Sequence, residues 1–219
     1  MIALIDYHAG NLTSVKKALG RIGAEVIVPS APEELADAAG VIVPGVGHFG
    51  ATKALEGAWT DAILARVREG RTLLGICLGM QSLYEGSDEA PDVPGLGLLG
   101  GRCYRLGEAA VRLKPDTTRD HRSMRLQADR GVKVPHVGWN SLSIQQKTSI
   151  VEGVEPGSQV YFTHSYVGPV NGDTIAVTEH GETFAAIVQR GHVAGVQFHP
   201  EKSGEVGLRI LRNFMETVA

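Results

Sequence analysis

The chain has 219 residues, 43% of them hydrophobic, and its 21 basic and 24 acidic residues give a formal charge of -3. This length and composition indicate one domain, residues 1–219, with a substantial core. The balanced charge argues against a nucleic-acid-binding or acidic-membrane surface, and no apolar stretch approaches the roughly 20 residues that span a bilayer. Because the N-terminus lacks a signal-peptide pattern, we expect a cytoplasmic protein. Two cysteines are too few for a disulfide framework or a structural zinc site, and we expect no metal or cofactor.

The first part of the chain alternates short apolar runs with helix-period segments. Continuous apolar runs are typical of strands in a parallel sheet that is covered on both faces, and here they predict strands over 2–6, 24–28, 40–43 and 72–76. The first intervening helix is predicted to begin with Asn11 as its N-cap. The resulting β-α-β-α-β-α-β order predicts a doubly wound α/β fold, in which ligands bind at the carboxyl ends of the strands.

From about residue 97 the pattern changes to short strands separated by glycine and proline. This spacing is typical of antiparallel hairpins. A last helix, beginning near Ser203, carries one apolar stripe to pack against the sheet. We therefore predict a central, mostly parallel sheet flanked by helices, with antiparallel strands in the C-terminal half.

The stretch "GICLG", residues 75–79, places Cys77 between two glycines directly after a predicted strand. A strand, this motif and a following helix together resemble a nucleophile elbow, in which a strained turn lifts one side chain above the sheet edge. The N-terminus of a helix there would favour the thiolate form of the cysteine. The structural alternative is a small buried residue that fills a strand end. We interpret Cys103 as a packing residue of this kind.

Near the other end of the chain, "VQFHPEKSG" places His199 and Glu201 two residues apart after an apolar strand. In extended backbone both side chains point the same way. A carboxylate beside an imidazole fixes its tautomer and supports the imidazolium, while the imidazole exchanges a proton with the thiol. Cys77, His199 and Glu201 therefore form a candidate catalytic triad.

The loop "VIVPGVGHFG", residues 41–50, leaves the same sheet edge as Cys77. Its glycines permit a backbone N–H to turn into the site, so Val46 or Gly47, together with Leu78, could form an oxyanion hole. The alternatives are a plain glycine-rich turn or a phosphate-binding loop. The loop lacks the Gly-Lys-Ser/Thr ending of a nucleotide-binding P-loop.

Several motifs, in this order and spacing, resemble those of the class I, or triad, glutamine amidotransferases. "PGVGHFG", "GICLGMQ" and "GVQFHPEKSG" carry the resemblance to the family as a whole. "IDYHAGNLTSV", "KVPHVGWNSL", "YFTHSY" and "EVGLRILRNF" are more narrowly similar to the glutaminase subunits of imidazole glycerol phosphate synthases. The resemblance covers nearly the whole chain and implies a flavodoxin-like fold.

The resemblance also implies a reaction and a partner. Cys77 would attack the side-chain amide of glutamine, with His199 as general acid and base and Glu201 orienting it, and ammonia would pass to a separate (β/α)8-barrel cyclase chain. That chain would make imidazole glycerol phosphate and aminoimidazole carboxamide ribotide in histidine biosynthesis. The remaining matched residues are those that bind glutamine, Gln81, Glu89, Ser165 and Tyr166, and those at the partner-facing mouth, Asn11 and Lys202.

One segment departs from the family pattern, and two other functions remain open. Residues 107–131, with six Arg/Lys and four Asp/Glu, replace a short connection, and their composition predicts a surface insertion. The first alternative function is a glutaminase that serves another acceptor. The second is a non-catalytic flavodoxin-like interaction subunit in which Cys77 is structural or redox-active.

Overall fold

The computed structural model describes residues 1–108 and 132–218. The helices are α1 (Leu12–Arg21), α2 (Ala58–Arg68), α3 (Leu78–Ser82) and α4 (Gly204–Glu216), with 3-10 turns at Pro32–Asp37, Phe49–Leu55, Ser149–Val151 and Pro200–Lys202. The first seven strands are β1 (Ile2–Leu4), β2 (Val26–Ile27), β3 (Gly40–Val43), β4 (Thr72–Ile76), β5 (Gly86–Ser87), β6 (Ala90–Pro94) and β7 (Tyr104–Arg105). The others are β8 (His136–Ser141), β9 (Ser143–Ile144), β10 (Gln159–His164), β11 (Tyr166–Val167), β12 (Thr174–Glu179), β13 (Thr183–Arg190) and β14 (Val193–Val196).

The central sheet has eight strands in the order β2-β1-β3-β4-β14-β13-β12-β9. The strands from β2 to β14 in this order pair in parallel, and β13, β12 and β9 continue the sheet in antiparallel pairs. Smaller pairs, β8 with β10, β7 with β11 and β5 with β6, lie outside it. The predicted fold class is therefore confirmed, including the change from parallel to antiparallel pairing.

Alternate side chains of the buried strands supply two separate cores. Ile2 and Leu4 of β1 belong to the cluster that includes residues of α1 and α4, whereas Ala3 and Ile5 belong to the cluster that includes residues of α2 and α3. This division follows from the period of two along a strand, because a strand that is covered on both faces must be apolar at every position. The two cores hold the carboxyl ends of β3, β4 and β14 side by side.

Three further predictions concern the insertion, the second cysteine and membrane-spanning segments. The predicted insertion, 107–131, lies outside the described residues except for Gly107 and Glu108; the N–H of Gly107 donates to Glu182 Oε1 at 3.0 Å. Cys103 is fully buried, as a packing residue would be. Among residues 1–108 and 132–218, no helix combines the length and the apolar character that crossing a membrane requires.

Candidate active site

Cys77 occupies a sharp turn between β4 and α3. Its backbone has φ 52° and ψ -107°, a conformation that costs a non-glycine residue free energy and is concentrated at functional sites. Gly79 permits the tight approach of α3 to β3, since a Cβ there would lie 1.7 Å from the carbonyl oxygen of Val43. The helix is only five residues long, so its dipole is smaller than the sequence suggested. Other groups must therefore contribute to stabilising a thiolate.

His199 and Glu201 reach the same point from the end of β14. The parallel pairing aligns Val196 with Ile76, and the N–H of Cys77 donates to the carbonyl of Val196 at 2.8 Å. His199 Nδ1 lies 2.8 Å from Glu201 Oε1, and the two side chains are at most 1% exposed. The strand ends thus bring together the three residues of the candidate triad.

The electrostatic environment of His199 favours its charged form. Burial by itself lowers the pKa of His199, but the Cys77 sulfur and then the Glu201 carboxylate raise it, to about 9 in all. The second ring nitrogen, Nε2, is buried and makes no regular hydrogen bond. His199 can therefore be an imidazolium at neutral pH and can supply a proton to a leaving group in the site.

Asn11 contacts the triad directly. It is the N-cap of α1, as predicted, but its side chain does not cap the helix. Instead, Asn11 Nδ2 donates to Glu201 Oε1, the same oxygen that His199 contacts. Asn11 has φ 63° and His8 has φ 62°, so two non-glycine residues of the β1–α1 loop occupy the sparsely populated left-handed region.

The backbone donors expected for an oxyanion hole are not assembled. The N–H of Val46 donates to the carbonyl of Ala9 at 2.7 Å, and the N–H of Leu78 donates to the carbonyl of Gly45 at 3.3 Å. The peptide between Gly45 and Val46 thus presents its carbonyl, not its N–H, to Leu78. Gly47, with φ 104°, lines the cavity beside Cys77.

The structure requires glycine at position 45 for close packing, whereas the sequence suggested that it serves to turn a backbone N–H into the site. Its φ does not lie in the left-handed region. A Cβ at Gly45 would lie 2.0 Å from the Tyr7 hydroxyl oxygen and 3.0 Å from the Leu78 Cβ. The residue therefore permits close packing of the 44–47 loop against its neighbours.

A cavity of about 300 Å³ opens in front of Cys77. Its lining includes all four residues to which the resemblance assigns glutamine binding, Gln81, Glu89, Ser165 and Tyr166. Glu89 Oε2 accepts a hydrogen bond from the N–H of Phe49 at 2.7 Å, which fixes the carboxylate at one wall. The volume lies at the lower end of the range of small-molecule sites and suits a substrate of amino-acid size.

The side chain of Gln81 is held by two hydrogen bonds that its amide nitrogen donates. Gln81 Nε2 donates to the carbonyl of Tyr166 at 2.9 Å and to Gln197 Oε1 at 3.3 Å. Both N–H groups are thereby engaged, so the Gln81 oxygen is the atom that remains for a ligand. An acceptor at this position suits an ammonium group.

Two residues at the site were missed by the sequence analysis. Gln197 Nε2 lies 3.7 Å from the Cys77 sulfur, and the carbonyl oxygen of Thr163 lies 3.8 Å from it. The signal for Gln197 was present in "VQFHPE", because a residue two positions before His199 shares its strand face. No comparable sequence signal identifies Thr163, which contacts the sulfur through its main chain.

A chain of neutral hydrogen bonds supports the pocket wall from behind. His164 Nδ1 lies 3.1 Å from the carbonyl of Tyr166, and His136 Nδ1 lies 3.1 Å from His164 Nε2. A carbonyl only accepts, so both Nδ1 atoms carry the proton, and His136 Nε2 accepts from Asn140 Nδ2 at 3.3 Å. Burial lowers the pKa of His136 to about 4 and that of His164 to about 3, with a neighbouring histidine adding to each shift.

Lys202 lies beside an exposed aromatic patch. Its Nζ lies 5.7 Å from the Tyr161 ring centroid, and Tyr161 meets Trp139 edge to face at 6.0 Å. Trp139 and Val137, alternate residues of β8, are each 56% exposed. We call these four residues the aromatic face. Within residues 1–108 and 132–218, no group of three or more His, Cys, Asp and Glu side chains could hold a metal ion.

Comparison with known proteins identifies the family. The model of the family "Glutamine amidotransferase class-I" matches residues 3–218. The chain is 45% identical over 223 residues to the imidazole glycerol phosphate synthase subunit HisH of Bacillus velezensis, covering all of this chain and 97% of that protein. It is 40% identical over 219 residues to the subunit of the same name from Methanothermobacter thermautotrophicus, covering all of this chain and 99% of that protein.

Solved structures support the fold. A structure described as a glutamine amidotransferase has a TM-score of 0.72 at 22% identity, covering 100% of this chain and 99% of the other. PurLQS from Thermotoga maritima has a TM-score of 0.72 at 19% identity, covering 100% of this chain and 98% of the other. The chain belongs to the class I glutamine amidotransferase family and, within it, to the HisH group of imidazole glycerol phosphate synthase subunits.

Proposed function

We propose that the chain hydrolyses glutamine to glutamate and ammonia as the glutaminase subunit of an imidazole glycerol phosphate synthase. The ammonia passes to a (β/α)8-barrel cyclase subunit that makes imidazole glycerol phosphate and aminoimidazole carboxamide ribotide in histidine biosynthesis. The full-length similarity to HisH subunits carries this proposal. The convergence of Cys77, His199 and Glu201 at adjacent strand ends supports it independently, because a purely structural cysteine needs neither partner.

The chemistry proceeds in two covalent steps. The Cys77 thiolate attacks the amide carbon of glutamine, the carbon–nitrogen bond breaks, and the departing nitrogen takes a proton from the His199 imidazolium to leave as ammonia. Neutral His199 then removes a proton from water, whose oxygen attacks the thioester carbon, and the carbon–sulfur bond breaks to release glutamate. Glu201 accepts from Nδ1, so the Nε2 atom exchanges the protons.

The cavity lining supplies groups that suit the rest of the substrate. The Gln81 oxygen and the Glu89 carboxylate are acceptors for the α-ammonium of glutamine. Ser165 and Tyr166 form the other wall. These groups hold the amino-acid end of the substrate and point its amide toward Cys77.

A backbone gate couples hydrolysis to the partner. Rotation of the peptide between Gly45 and Val46 releases the N–H of Leu78 and turns the N–H of Val46 toward the site, so that one movement assembles two donors. Each such donor is worth about 10²–10³ in rate, or about 3–4 kcal/mol. The resting hydrogen bond from Val46 to Ala9 opposes this rotation.

The β1–α1 loop connects this gate to the mouth of the site. A Cβ on Gly10 would lie 2.7 Å from Val46 Cγ2, and Asn11 contacts Glu201. A partner that shifts this loop therefore acts on both Val46 and the triad. The cyclase docks on the aromatic face, where Trp139 and Lys202 are exposed, and reaches Asn11 from there.

The first experiment tests the nucleophile in the complex with the cyclase. Cys77→Ala should abolish the glutamine-dependent reaction and leave the reaction with free ammonia intact, because ammonia bypasses the covalent step. Cys103→Ala is the matched control, since it removes the other buried thiol, which has no part in the proposed covalent steps. Glutamine turnover by Cys77→Ala would refute the nucleophile, and loss of both reactions would point to failed docking.

A second experiment tests the gate and the acceptor. Glutamine turnover is measured for the isolated chain, for its complex with the cyclase, and for the complex with the cyclase's nucleotide ligand. We expect a low rate for the first and the highest rate for the last. Equal rates in all three would refute the gate, and failure of the cyclase to bind would favour a different acceptor subunit.

A further inference from the structure

The side chain of Gln197 contacts the reacting sulfur but has no part in the triad. It is fully buried, and its Nε2 lies 3.7 Å from Cys77 Sγ. We propose that Gln197 is a further catalytic residue, whose amide donates an N–H hydrogen bond to the Cys77 thiolate. This inference rests on the proposed function, in which Cys77 is the nucleophile.

The position of Gln197 follows from the strand that carries His199. Its N–H donates to the carbonyl of Ala186 on β13 at 2.9 Å, so the backbone continues the sheet past the end of β14. Side chains alternate along extended backbone, and Gln197 and His199 therefore share one face. Phe198 between them joins the cluster on the other face of the sheet, where its ring lies 5.8 Å from that of Phe162.

The orientation of the Gln197 amide is determined by a sequence of hydrogen bonds. The carbonyl of Tyr166 can only accept, which places the nitrogen of Gln81, not its oxygen, against it at 2.9 Å. The second N–H of Gln81 requires an acceptor, and Gln197 Oε1 lies 3.3 Å away. With its oxygen committed to Gln81, the Gln197 amide presents its nitrogen to the sulfur. The opposite orientation would place the Gln197 nitrogen against the Gln81 nitrogen, so that two donors face each other, and the Gln197 oxygen against the sulfur.

The sulfur needs this donor because an opposing group lies nearby. The carbonyl oxygen of Thr163, 3.8 Å from Sγ, accepts from a thiol S–H and repels a thiolate. The N–H of Gln197 acts in the opposite sense, and in a buried site such a dipole interacts strongly with a charge. The five-residue α3 contributes little. Gln197 and His199 together therefore offset the Thr163 carbonyl.

The donor acts wherever the sulfur is anionic. It stabilises the thiolate that attacks glutamine, and it stabilises the same anion when the carbon–sulfur bond of the thioester breaks. In the neutral thioester its hydrogen bond is weak. Gln197 thus raises the fraction of attacking thiolate and improves sulfur as a leaving group.

The test is the pH dependence of Cys77 alkylation by iodoacetamide in the full chain without glutamine. Mass spectrometry of the Cys77 peptide separates this reaction from that of Cys103. Gln197→Met keeps the length of the side chain and removes the donor. We expect the midpoint of the pH–rate profile to move up by about one pH unit. Below the midpoint the thiolate fraction then falls about tenfold, and alkylation slows by about three- to fourfold because the remaining thiolate is more nucleophilic.

The high-pH plateau and a matched variant separate a lost donor from altered packing. Loosened packing would change the plateau rate without moving the midpoint, whereas a lost donor moves the midpoint up and raises the plateau by about threefold, because a thiolate of higher pKa is the better nucleophile. Gln189→Met is the matched control, because Gln189 is a partly buried glutamine of β13 whose amide donates to Gly191 and does not contact Cys77. Profiles of Gln197→Met and Gln189→Met that both equal the wild type would overturn the proposal.

A second variant tests the same inference through the neighbouring amide. Gln81→Met removes the group that orients Gln197, so we expect an upward shift of the midpoint that is smaller than for Gln197→Met. If Gln197→Met does not fold, an unchanged profile for Gln81→Met overturns the proposal. Failure of the proposed function is a separate result: it would appear as no glutamine turnover by the wild-type complex or as glutamine turnover by Cys77→Ala, and the alkylation profile measures neither.

Discussion

Two groups of buried histidines lie near the cavity, and their environments shift the pKa in opposite directions. His199 at the end of β14 has its pKa raised to about 9, whereas His136 and His164, on β8 and β10, have theirs lowered to about 4 and about 3. All three are at most 6% exposed. Low solvent exposure is therefore common to both groups, and the neighbours decide the sign. An anionic neighbour favours the proton on His199, while His136 and His164 have mainly each other and His180.

This contrast separates two roles in one site. His199 can hold and release a proton at neutral pH, because Cys77 and Glu201 compensate its charge. His136 and His164 remain neutral and act as donors in the hydrogen-bond chain that ends at the Tyr166 carbonyl. In the proposed mechanism, the same residue type thus performs proton transfer in one region and supports a wall in the other.

The largest expected effect is the loss of His199. His199→Ala should lower glutamine turnover in the complex by about 10⁴-fold or more, because proton transfer to the leaving nitrogen is lost. His164→Asn is the matched variant in the other region, since its amide can still donate to the Tyr166 carbonyl, and we expect a loss below about tenfold. If His199→Ala and His164→Asn lose turnover equally at saturating glutamine, the two regions do not have different roles.

The next effect concerns the charge that raises the pKa of His199. Glu201→Gln should lower turnover by a smaller factor than His199→Ala, because the ring keeps an acceptor but loses its anion. In the wild-type complex, the rate should fall as the pH rises through about 9, where the imidazolium is lost. The variant should lose activity at a lower pH. If the rate falls at the same high pH in Glu201→Gln and in the wild type, Glu201 does not raise the pKa of His199.

A smaller effect is expected at Asn11, whose side chain donates to Glu201 beside His199. Asn11→Ala should reduce the activation by cyclase and ligand by about tenfold while changing basal hydrolysis less, which is a defect of coupling. Lys202→Ala should act in the same direction through docking. Thr13→Ala, exposed on the same helix α1, is the control. The proposed coupling is wrong if Asn11→Ala lowers basal and activated rates by the same factor.

The last effect is on stability and not on turnover, and it concerns His136 and His164. The folded state keeps His136 and His164 neutral well below the unfolded-state pKa of about 6.5, whereas the unfolded chain takes up protons there. Stability should therefore fall as the pH drops from about 6.5 toward about 4, by about 1.4 kcal/mol per pH unit for each histidine.

His136→Phe tests this linkage. The variant keeps the ring that stacks on Phe162 at 4.7 Å but removes one titrating group and the donor to His164. It should be less stable than the wild type above neutral pH, and its stability should depend less on pH below it. Urea unfolding across a pH series measures both, with exposed His8→Gln as the control. A variant with the wild-type pH dependence would show that the pKa of His136 is the same in the folded and unfolded states.

Much of the site could be predicted because its residues lie at strand ends or in short motifs. Cys77 and His199 follow β4 and β14, and the carboxyl ends of adjacent parallel strands meet at one edge. His199 and Glu201 meet as predicted, but through a 3-10 turn at Pro200–Lys202, so the expectation of extended backbone between them was wrong. The roles of the glutamine-binding residues came from the resemblance alone, although all four line one cavity.

By itself, the sequence determined the fold class, the family, and the residue types of the triad, because these depend on apolar periodicity and on local motifs. Only the tertiary structure decided which atoms meet across the fold. It joined Asn11 to Glu201, paired the Leu78 N–H with the Gly45 carbonyl, and placed the Gln197 amide against the Cys77 sulfur. These contacts join residues that are 33 to 190 positions apart, so no local pattern encodes them. The direction of a buried histidine's pKa shift has the same origin, since it depends on which charges the packing brings beside the ring.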